Sequence, residues 1–363
     1  MSVNADKVSA GAALEVLRAG WEAQRTGGLT TSWMLHGRPG VGKTEVVRQL
    51  AEGMGAQLFD IRLTTIEPQD LRGLPYYDHA AAKTVWYRPE DLPDDPNEPA
   101  VLFLDELTAA SPYLQPTVYG LLQERRVGRH LLPGSVFIVA AGNMVEDGAV
   151  AYEMGTALAD RLVHLHVEAS AKDWLEHYAV DQAIHPAVTA FLRARPDLLE
   201  TTEDSLRRGE IIACTPRSWE RVSQVMRAVS DRKMRGTMIA GIVGTAAAAE
   251  FTRVSEEIEA LVTVDEMLAA SRRARADLYP TSMNGLVGLI YALVSHADAQ
   301  TTAGVIEVMA DIATLERPGL PLAELTSFGF ELLIRKALAE GLEDAFRGSD
   351  AYARYAATRD DPA

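Results

Sequence analysis

The chain has 363 residues, 47% hydrophobic and 24% charged, which suits two or three packed domains and excludes a disordered chain. Its 51 acidic and 35 basic residues give a net charge of −16, so the average field repels nucleic acid and anionic membranes and only a local basic groove could serve either. The single cysteine, Cys214, excludes an internal disulfide framework and fits a reducing compartment, so the expected setting is the cytoplasm. Residues 8 to 25 place Val8, Ala12, Leu14, Leu17 and Trp21 at helical spacing and break at Gly27 and Gly28. A short apolar strand, Trp33 to Leu35, follows, and a helix from Glu45 to Met54 lies beyond the intervening glycine-rich loop. Four later apolar runs read as strands: Gln57 to Leu63, Ala100 to Leu104, Val136 to Ala141 and Leu162 to Val167. Their nearly continuous apolar character predicts a parallel five-stranded sheet covered by helices on both faces. From about Ala171 the pattern turns helical, over Asp173 to Val180, Pro186 to Arg193, Arg217 to Val229, Arg235 to Val254 and further segments. The uncharged run Met238 to Ala249 is only twelve residues and contains Gly241 and Gly244, which predicts a packed helix rather than a membrane span. The opening residues MSVNADK lack the apolar core of a signal peptide.

The loop between the first strand and its helix reads GRPGVGKT, Gly37 to Thr44. Strand, glycine-rich loop and helix in this order predict a cradle for the phosphates of a nucleoside triphosphate such as ATP. Gly37, Gly40 and Gly42, with Pro39 and Val41 between them, let the backbone wrap closely, so that N–H groups from about Gly40 to Glu45 face phosphate oxygens. Lys43 adds a point charge for the outer phosphates, and Thr44 offers a hydroxyl ligand for Mg²⁺. A chance glycine turn before a helix is the bland reading, and the full eight-residue pattern disfavours it.

Downstream, VLFLDELTAA at 101 to 110 ends an apolar strand in two adjacent carboxylates. At the C-terminal tip of a strand in an open α/β sheet both reach the ligand crevice. Asp105 is the expected Mg²⁺ ligand, directly or through water, and Glu106 the base that orients and deprotonates attacking water. The next strand, SVFIVAAGN, ends in Asn143, whose amide can bond both that water and the terminal phosphate, although an isolated Asn there is usually a turn residue. In ALADRL, Arg161 precedes the fifth strand and is a candidate to stabilise transition-state charge on a neighbouring subunit's nucleotide; an ion pair with Asp160 is the alternative. In TPRSWERV, Thr215 and Pro216 predict an N-cap and first helical position, and place Arg217 where it could reach the phosphates from the helical region.

In this order and spacing the motifs resemble those of the AAA+ ATPases and, within them, the MoxR-like group. The likeness runs over about residues 30 to 255, with GRPGVGKT as Walker A, VLFLDE as Walker B, Asn143 as sensor 1, Arg161 as the arginine finger and Arg217 as sensor 2. Residues 63 to 93 resemble that group's helix-2 insertion, and Glu124 to Asn143 its hairpin before sensor 1. The resemblance implies an AAA+ α/β core over 1–170, an all-α lid over 171–256 and a helical C-terminal extension over 257–363. It further implies nucleotide bound between core and lid and a homo-oligomeric ring, commonly hexameric. The implied work is remodelling of a protein partner, often one with a von Willebrand factor A domain.

Several residues carry two readings. His164 and His166 alternate along one strand and face one side, a pattern that suits packing or hydrogen bonding better than a transition-metal site. Tyr76 and Tyr77 could grip a polypeptide in a central pore or pack a hairpin on its own core. Arg125, Arg126 and Arg129 suit a solvated face or intersubunit ion pairs more than nucleic-acid contacts. The expected function is ATP-driven remodelling of a protein; the alternatives are a nucleic-acid translocase or restriction-type motor, and an ATPase that assists metal-cofactor insertion.

Overall fold

The computed structural model describes residues 3–144, 155–259 and 264–359. These fall into two compact units, Met1–Ser170 with Thr202–Gly209, and Ala171–Thr201 with Glu210–Ala363.

The strands of the first unit are β1 (Lys7–Val8), β2 (Ser32–His36), β3 (Gln57–Arg62), β4 (Pro75–Asp78), β5 (Lys83–Trp86), β6 (Ala100–Asp105), β7 (Arg126–Val127), β8 (His130–Leu131), β9 (Val136–Gly142) and β10 (Leu162–Val167). Its helices before residue 170 include α1 (Ala10–Gly27), α2 (Lys43–Gly53), α3 (Pro68–Arg72), α4 (Gln115–Glu124) and α5 (Thr156–Ala159). Six strands pair in the order β1-β10-β2-β9-β6-β3, every pair parallel. The five strands expected from the apolar runs are all present, and the two-residue β1 adds a sixth at the edge.

Alternation along the strands explains the layering. On β9, Val136, Ile138 and Ala140 join one core cluster, with Leu102 and Leu104 of β6, while Phe137, Val139 and Ala141 join the other, with Val101 and Phe103. Both faces are therefore buried, and each fully buried Val, Leu, Ile or Phe among them contributes about 1.5–3 kcal/mol. Helix α1 covers one face through Ala13, Leu17 and Trp21. Ser9 begins it by accepting the Ala12 N–H, and Gly28, at φ 70°, ends it in the left-handed region. Trp21 and Trp33 both lie against Phe137, with ring centroids 5.6 and 6.0 Å away.

Parallel pairing brings the C-terminal ends of β2, β6 and β9 to the same edge of the sheet, and that edge carries the chemistry. Two hairpins, β4–β5 and β7–β8, interrupt the α/β alternation.

The second unit is helical. Phe191, Trp219 and Phe251, from three helices, meet with centroids 5.3 to 5.7 Å apart, and the Trp219 indole donates to the Leu198 carbonyl at 2.7 Å. Arg275 and Asp311, both nearly buried, approach to 3.5 Å. Among the described residues no helix is long and apolar enough to cross a membrane.

Candidate functional site

The loop after β2 is built around backbone that favours glycine. Gly37 has φ 155°, and a Cβ there would lie 2.4 Å from the Val167 carbonyl oxygen, so the loop's first residue presses onto the end of β10. Gly42, at φ 105°, is the N-cap of α2 and gives no side-chain cap, which leaves the first-turn N–H groups available to an anion. Lys43, 8% exposed, donates from Nζ to the Arg38 carbonyl at 2.9 Å, to Asn143 Oδ1 at 3.0 Å and to the Gly37 carbonyl. Thr44 Oγ1 lies 3.3 Å from Asp105 Oδ2. Hydroxyl and carboxylate oxygens side by side are the hard donors that Mg²⁺ takes, and uncapped helix N–H groups beside a lysine suit phosphate, so this chain's residues fit both groups.

Asp105 is 7% exposed, and its Oδ1 accepts the Glu106 N–H at 2.8 Å. Its charge acts beyond the pair: burial, then the nearby Asp105 carboxylate, push the Asp60 carboxyl above its ordinary range. Glu106 sits at φ 60°, an uncommon left-handed conformation for a non-glycine residue. The Thr64 hydroxyl donates to its Oε2, and Arg62 Nε lies 3.8 Å from its Oε1. Asn143 is fixed from both ends, since its side chain accepts from Lys43 and its carbonyl accepts the Thr108 hydroxyl at 2.9 Å. Gly142 lets Thr108 approach, because a Cβ there would lie 2.6 Å from Thr108 Oγ1.

The structure thus brings Gly37, Pro39, Gly40, Val41, Gly42, Lys43, Thr44 and Glu45 of the loop and helix start to the same sheet edge as Asp105, Glu106 and Asn143. Glu45 itself turns its carboxylate to Arg48 at 2.9 Å. Arg161 is exposed in the turn between α5 and β10 of the same unit. Arg217 lies in the second unit, exposed in the first turn of the helix Pro216–Ala228, where Thr215 and Ser218 form a reciprocal capping box.

Sequence reading missed the residues that hold these groups. Thr64 and Arg62 reach Glu106 because β3 pairs with β6 in register, with Arg62 opposite Asp105. Arg38, second in the loop, donates to Glu203 at 2.9 Å, and Arg38 followed by Arg207 holds that carboxyl below its ordinary range. His36, which ends β2, shares a hydrogen bond of 2.8 Å with His164, between Nε2 of the first ring and Nδ1 of the second. Burial first, then the repulsion that a proton on His36 would meet from His164, His166 and Lys43, lower the His36 pKa to about 3. A strand order would have revealed the Thr64 contact; no local signal marks the other two.

Elsewhere Arg125 leaves the surface cluster expected of it. At the end of α4 it donates to the Pro133 carbonyl at 3.1 Å and to the Val136 carbonyl, and burial lowers its pKa. Tyr76 and Tyr77, on β4, are 45% and 67% exposed, and Tyr76 stacks obliquely on Tyr87 at 5.4 Å. Among the described residues no group of three or more His, Cys, Asp or Glu side chains forms a metal-binding arrangement.

Residues 32–161 match the family described as AAA domain (dynein-related subfamily). Over those residues the chain is similar to an AAA domain. That family is one of nucleotide-binding ATPases, and the parallel sheet flanked by helices is its P-loop NTPase fold. None of the curated protein sequences matches the chain. Solved structures similar to it include the Thermotoga maritima RuvB Holliday junction branch migration motor, at 14% identity over 74% of this chain and 80% of that one, with a TM-score of 0.37. A closed-state reconstruction of Hsp104 with ATPγS and casein matches at 14% identity and a TM-score of 0.37, over 49% of this chain. The chain spans 36% of the length of Hsp104 in that comparison.

Proposed function

We propose that this chain is a MoxR-like AAA+ ATPase that hydrolyses ATP within a homo-oligomeric ring, commonly hexameric in that group, and uses the cycle to remodel a protein partner. The observation that carries the reading is the convergence of Lys43 on Asn143 and of Thr44 on Asp105 at one edge of the sheet.

In this reading the first-turn N–H groups of α2 and the Lys43 ammonium bind the β- and γ-phosphates. Thr44 and Asp105 would hold Mg²⁺, which supplies charge neutralisation on the phosphate oxygens when bound. Asn143 orients a water in line with the γ-phosphorus, and Glu106 takes its proton as the new P–O bond forms and the bridging P–O bond to ADP breaks. Arg161 of an adjacent subunit stabilises the charge that develops on the equatorial oxygens, and Arg217 contributes from the helical lid, proposed as 171–256 and followed by the extension 257–363.

The partner is proposed to be a protein in the cytoplasm, with a von Willebrand factor A domain as the leading class of client or adaptor. The net charge of −16 and the exposed Tyr76, Tyr77 and Tyr87 support protein contact over phosphate-backbone contact.

The test is complementation. Arg161→Ala subunits keep an intact site and lack the arginine, whereas Glu106→Gln subunits keep the arginine and lack the base. Each alone should be inactive, and mixing them should restore a fraction of turnover through interfaces that pair a good site with a good arginine. Full activity of Arg161→Ala, or of a strictly monomeric protein, would overturn the ring reading.

A further inference from the structure

The segment that carries Arg161 is tied to the base of the nucleotide loop by a two-step hydrogen-bond chain. His164, on β10, approaches the Ala159 carbonyl with Nε2 at 2.8 Å. A carbonyl only accepts, so Nε2 carries the proton. In the tautomer with its proton on Nε2 the ring presents Nδ1 as an acceptor, and His36 Nε2 donates to it at 2.8 Å. The two rings lie nearly parallel, 19° apart, with centroids separated by 5.1 Å.

The ends of this chain are informative. His36 is the last residue of β2 and adjoins Gly37, which presses onto the Val167 carbonyl at the end of β10. Ala159 is the last residue of α5, and only Asp160 separates it from Arg161, whose own N–H donates to the Leu158 carbonyl at 3.1 Å. His164 thus holds the turn before Arg161 with one ring nitrogen and the strand that leads into the nucleotide loop with the other. His36 is buried and stays neutral, so its contribution is a directed donor rather than a charge.

We propose that His164 is a positioning residue for Arg161: anchored on His36, it fixes the turn that presents Arg161 to the neighbouring subunit's nucleotide. The proposal rests on the reading of Arg161 as acting across a subunit boundary. A charge misplaced by about 1 Å forfeits up to ~100-fold in rate. The hydrogen bond from His164 to the carbonyl two residues before Arg161 fixes the backbone from which that side chain extends.

Donor and acceptor rings separate this role from a structural one. Glu106→Gln subunits donate the arginine and Arg161→Ala subunits accept it. His164→Asn keeps an acceptor near the Nδ1 position for His36 and loses the reach to Ala159. Placed in the donor, it should lower the restored turnover by about tenfold, the value of one ordinary hydrogen bond. Placed in the acceptor, it should leave turnover within about twofold. His164→Gln, whose amide reaches the Nε2 position and donates to Ala159, should recover most of the loss in the donor. His164→Phe keeps the ring against His36 and removes both bonds, so it carries the same test should the Asn variant fail to assemble. An equal loss in donor and acceptor, a loss confined to the acceptor, or no loss in the donor overturns the positioning role while leaving that of Arg161 intact. Failure of the unsubstituted donor and acceptor to complement removes the reading of Arg161 and the proposal with it.

Discussion

Lys43 and Asn143, 100 residues apart in the chain, share a hydrogen bond of 3.0 Å from Nζ to Oδ1. The bond joins the phosphate loop to the end of β9, so the residue proposed to hold phosphate and the one proposed to orient water move together. Lys43 keeps its bonds to the carbonyls of Gly37 and Arg38 when Asn143 is removed, which separates the two defects.

Titration with a fluorescent ATP analogue and single-turnover hydrolysis should therefore resolve three variants. Lys43→Ala is expected to weaken binding itself. Glu106→Gln should bind normally and lose about 10²–10⁴-fold in turnover, as expected for loss of a general base. Asn143→Ala should bind nearly normally and lose about 10²–10³-fold, in the range of one transition-state hydrogen-bond donor. Near-normal turnover in Glu106→Gln would sink the assignment of the base.

Thr64 offers a second handle on the same carboxylate. Its hydroxyl donates to Glu106, and that bond occupies one carboxylate oxygen and confines the side chain to one rotamer, away from the attacking water. Thr64→Val, isosteric and without the donor, should raise basal turnover roughly fivefold, about the value of one hydrogen bond, with ATP affinity unchanged. A tenfold fall would show instead that Thr64 holds Glu106 where the reaction needs it.

Much of the fold and the centre of the site are legible in the sequence because each signal is contiguous. GRPGVGKT lies in one loop, VLFLDE ends one strand, and the apolar runs of β6 and β9 are buried on both faces, so they lack the alternation of an exposed sheet. The supports are hidden because they depend on which strands become neighbours. Thr64 and Glu106 are 42 residues apart, His36 and His164 128, and Arg38 and Glu203 165. Edge strand β1 escapes notice for a different reason: two residues, Lys7 and Val8, show no period, and only parallel pairing with His166 and Val167 makes them a strand.

Close packing between Gly142 and Thr108 makes a prediction about stability that can be separated from chemistry. A Cβ at 142 would meet Thr108 Cγ2 at 2.7 Å and Met34 Cε at 3.0 Å. Gly142→Ala should therefore cost about 1–3 kcal/mol in denaturant unfolding, the usual penalty of overpacking. Adding Thr108→Ala removes the clashing atoms and should restore much of that stability. It should not restore turnover, because the same change deletes the hydroxyl that holds the Asn143 carbonyl. Additive losses of stability in the double mutant would refute the packing account.

His36 predicts a dependence of stability on acid. Its folded pKa is lowered from 6.5 to about 3, chiefly by burial, so the folded state prefers the neutral ring and the unfolded state takes up a proton first. The stabilisation is complete above the unfolded value and is lost as pH falls from about 6.5 toward the folded value. In His36→Gln the decline of unfolding free energy between about pH 7 and 5 should be shallower than in the parent, measured by urea denaturation at closely spaced pH values. Identical slopes would mean that another group sets the acid limb.

The hairpin β4–β5 bears on the partner. Gly73, at φ 80°, admits the Tyr87 carbonyl where a Cβ would lie 1.7 Å away, so the base of the hairpin is closed by backbone rather than by an apolar core. Arg72 lies over the Trp86 ring at 5.1 Å, and Tyr76, Tyr77 and Tyr87 remain exposed. Tyrosine, tryptophan and arginine are the types enriched at protein hot spots, yet they also stack on single-stranded nucleic acid, so the residue types alone do not choose. Charge chooses: phosphate neutralisation drives nucleic-acid affinity, and a chain of net charge −16 must concentrate its basic groups to achieve it. Tyr76→Ala combined with Tyr77→Ala should therefore reduce client-coupled work by at least about tenfold, the cost of losing two contact aromatics, while basal ATP turnover changes less than about twofold. DNA and RNA should stimulate the parent little at any salt concentration. Strong stimulation by either, falling steeply as salt rises and lost in the double mutant, would reverse the assignment in favour of a nucleic-acid translocase.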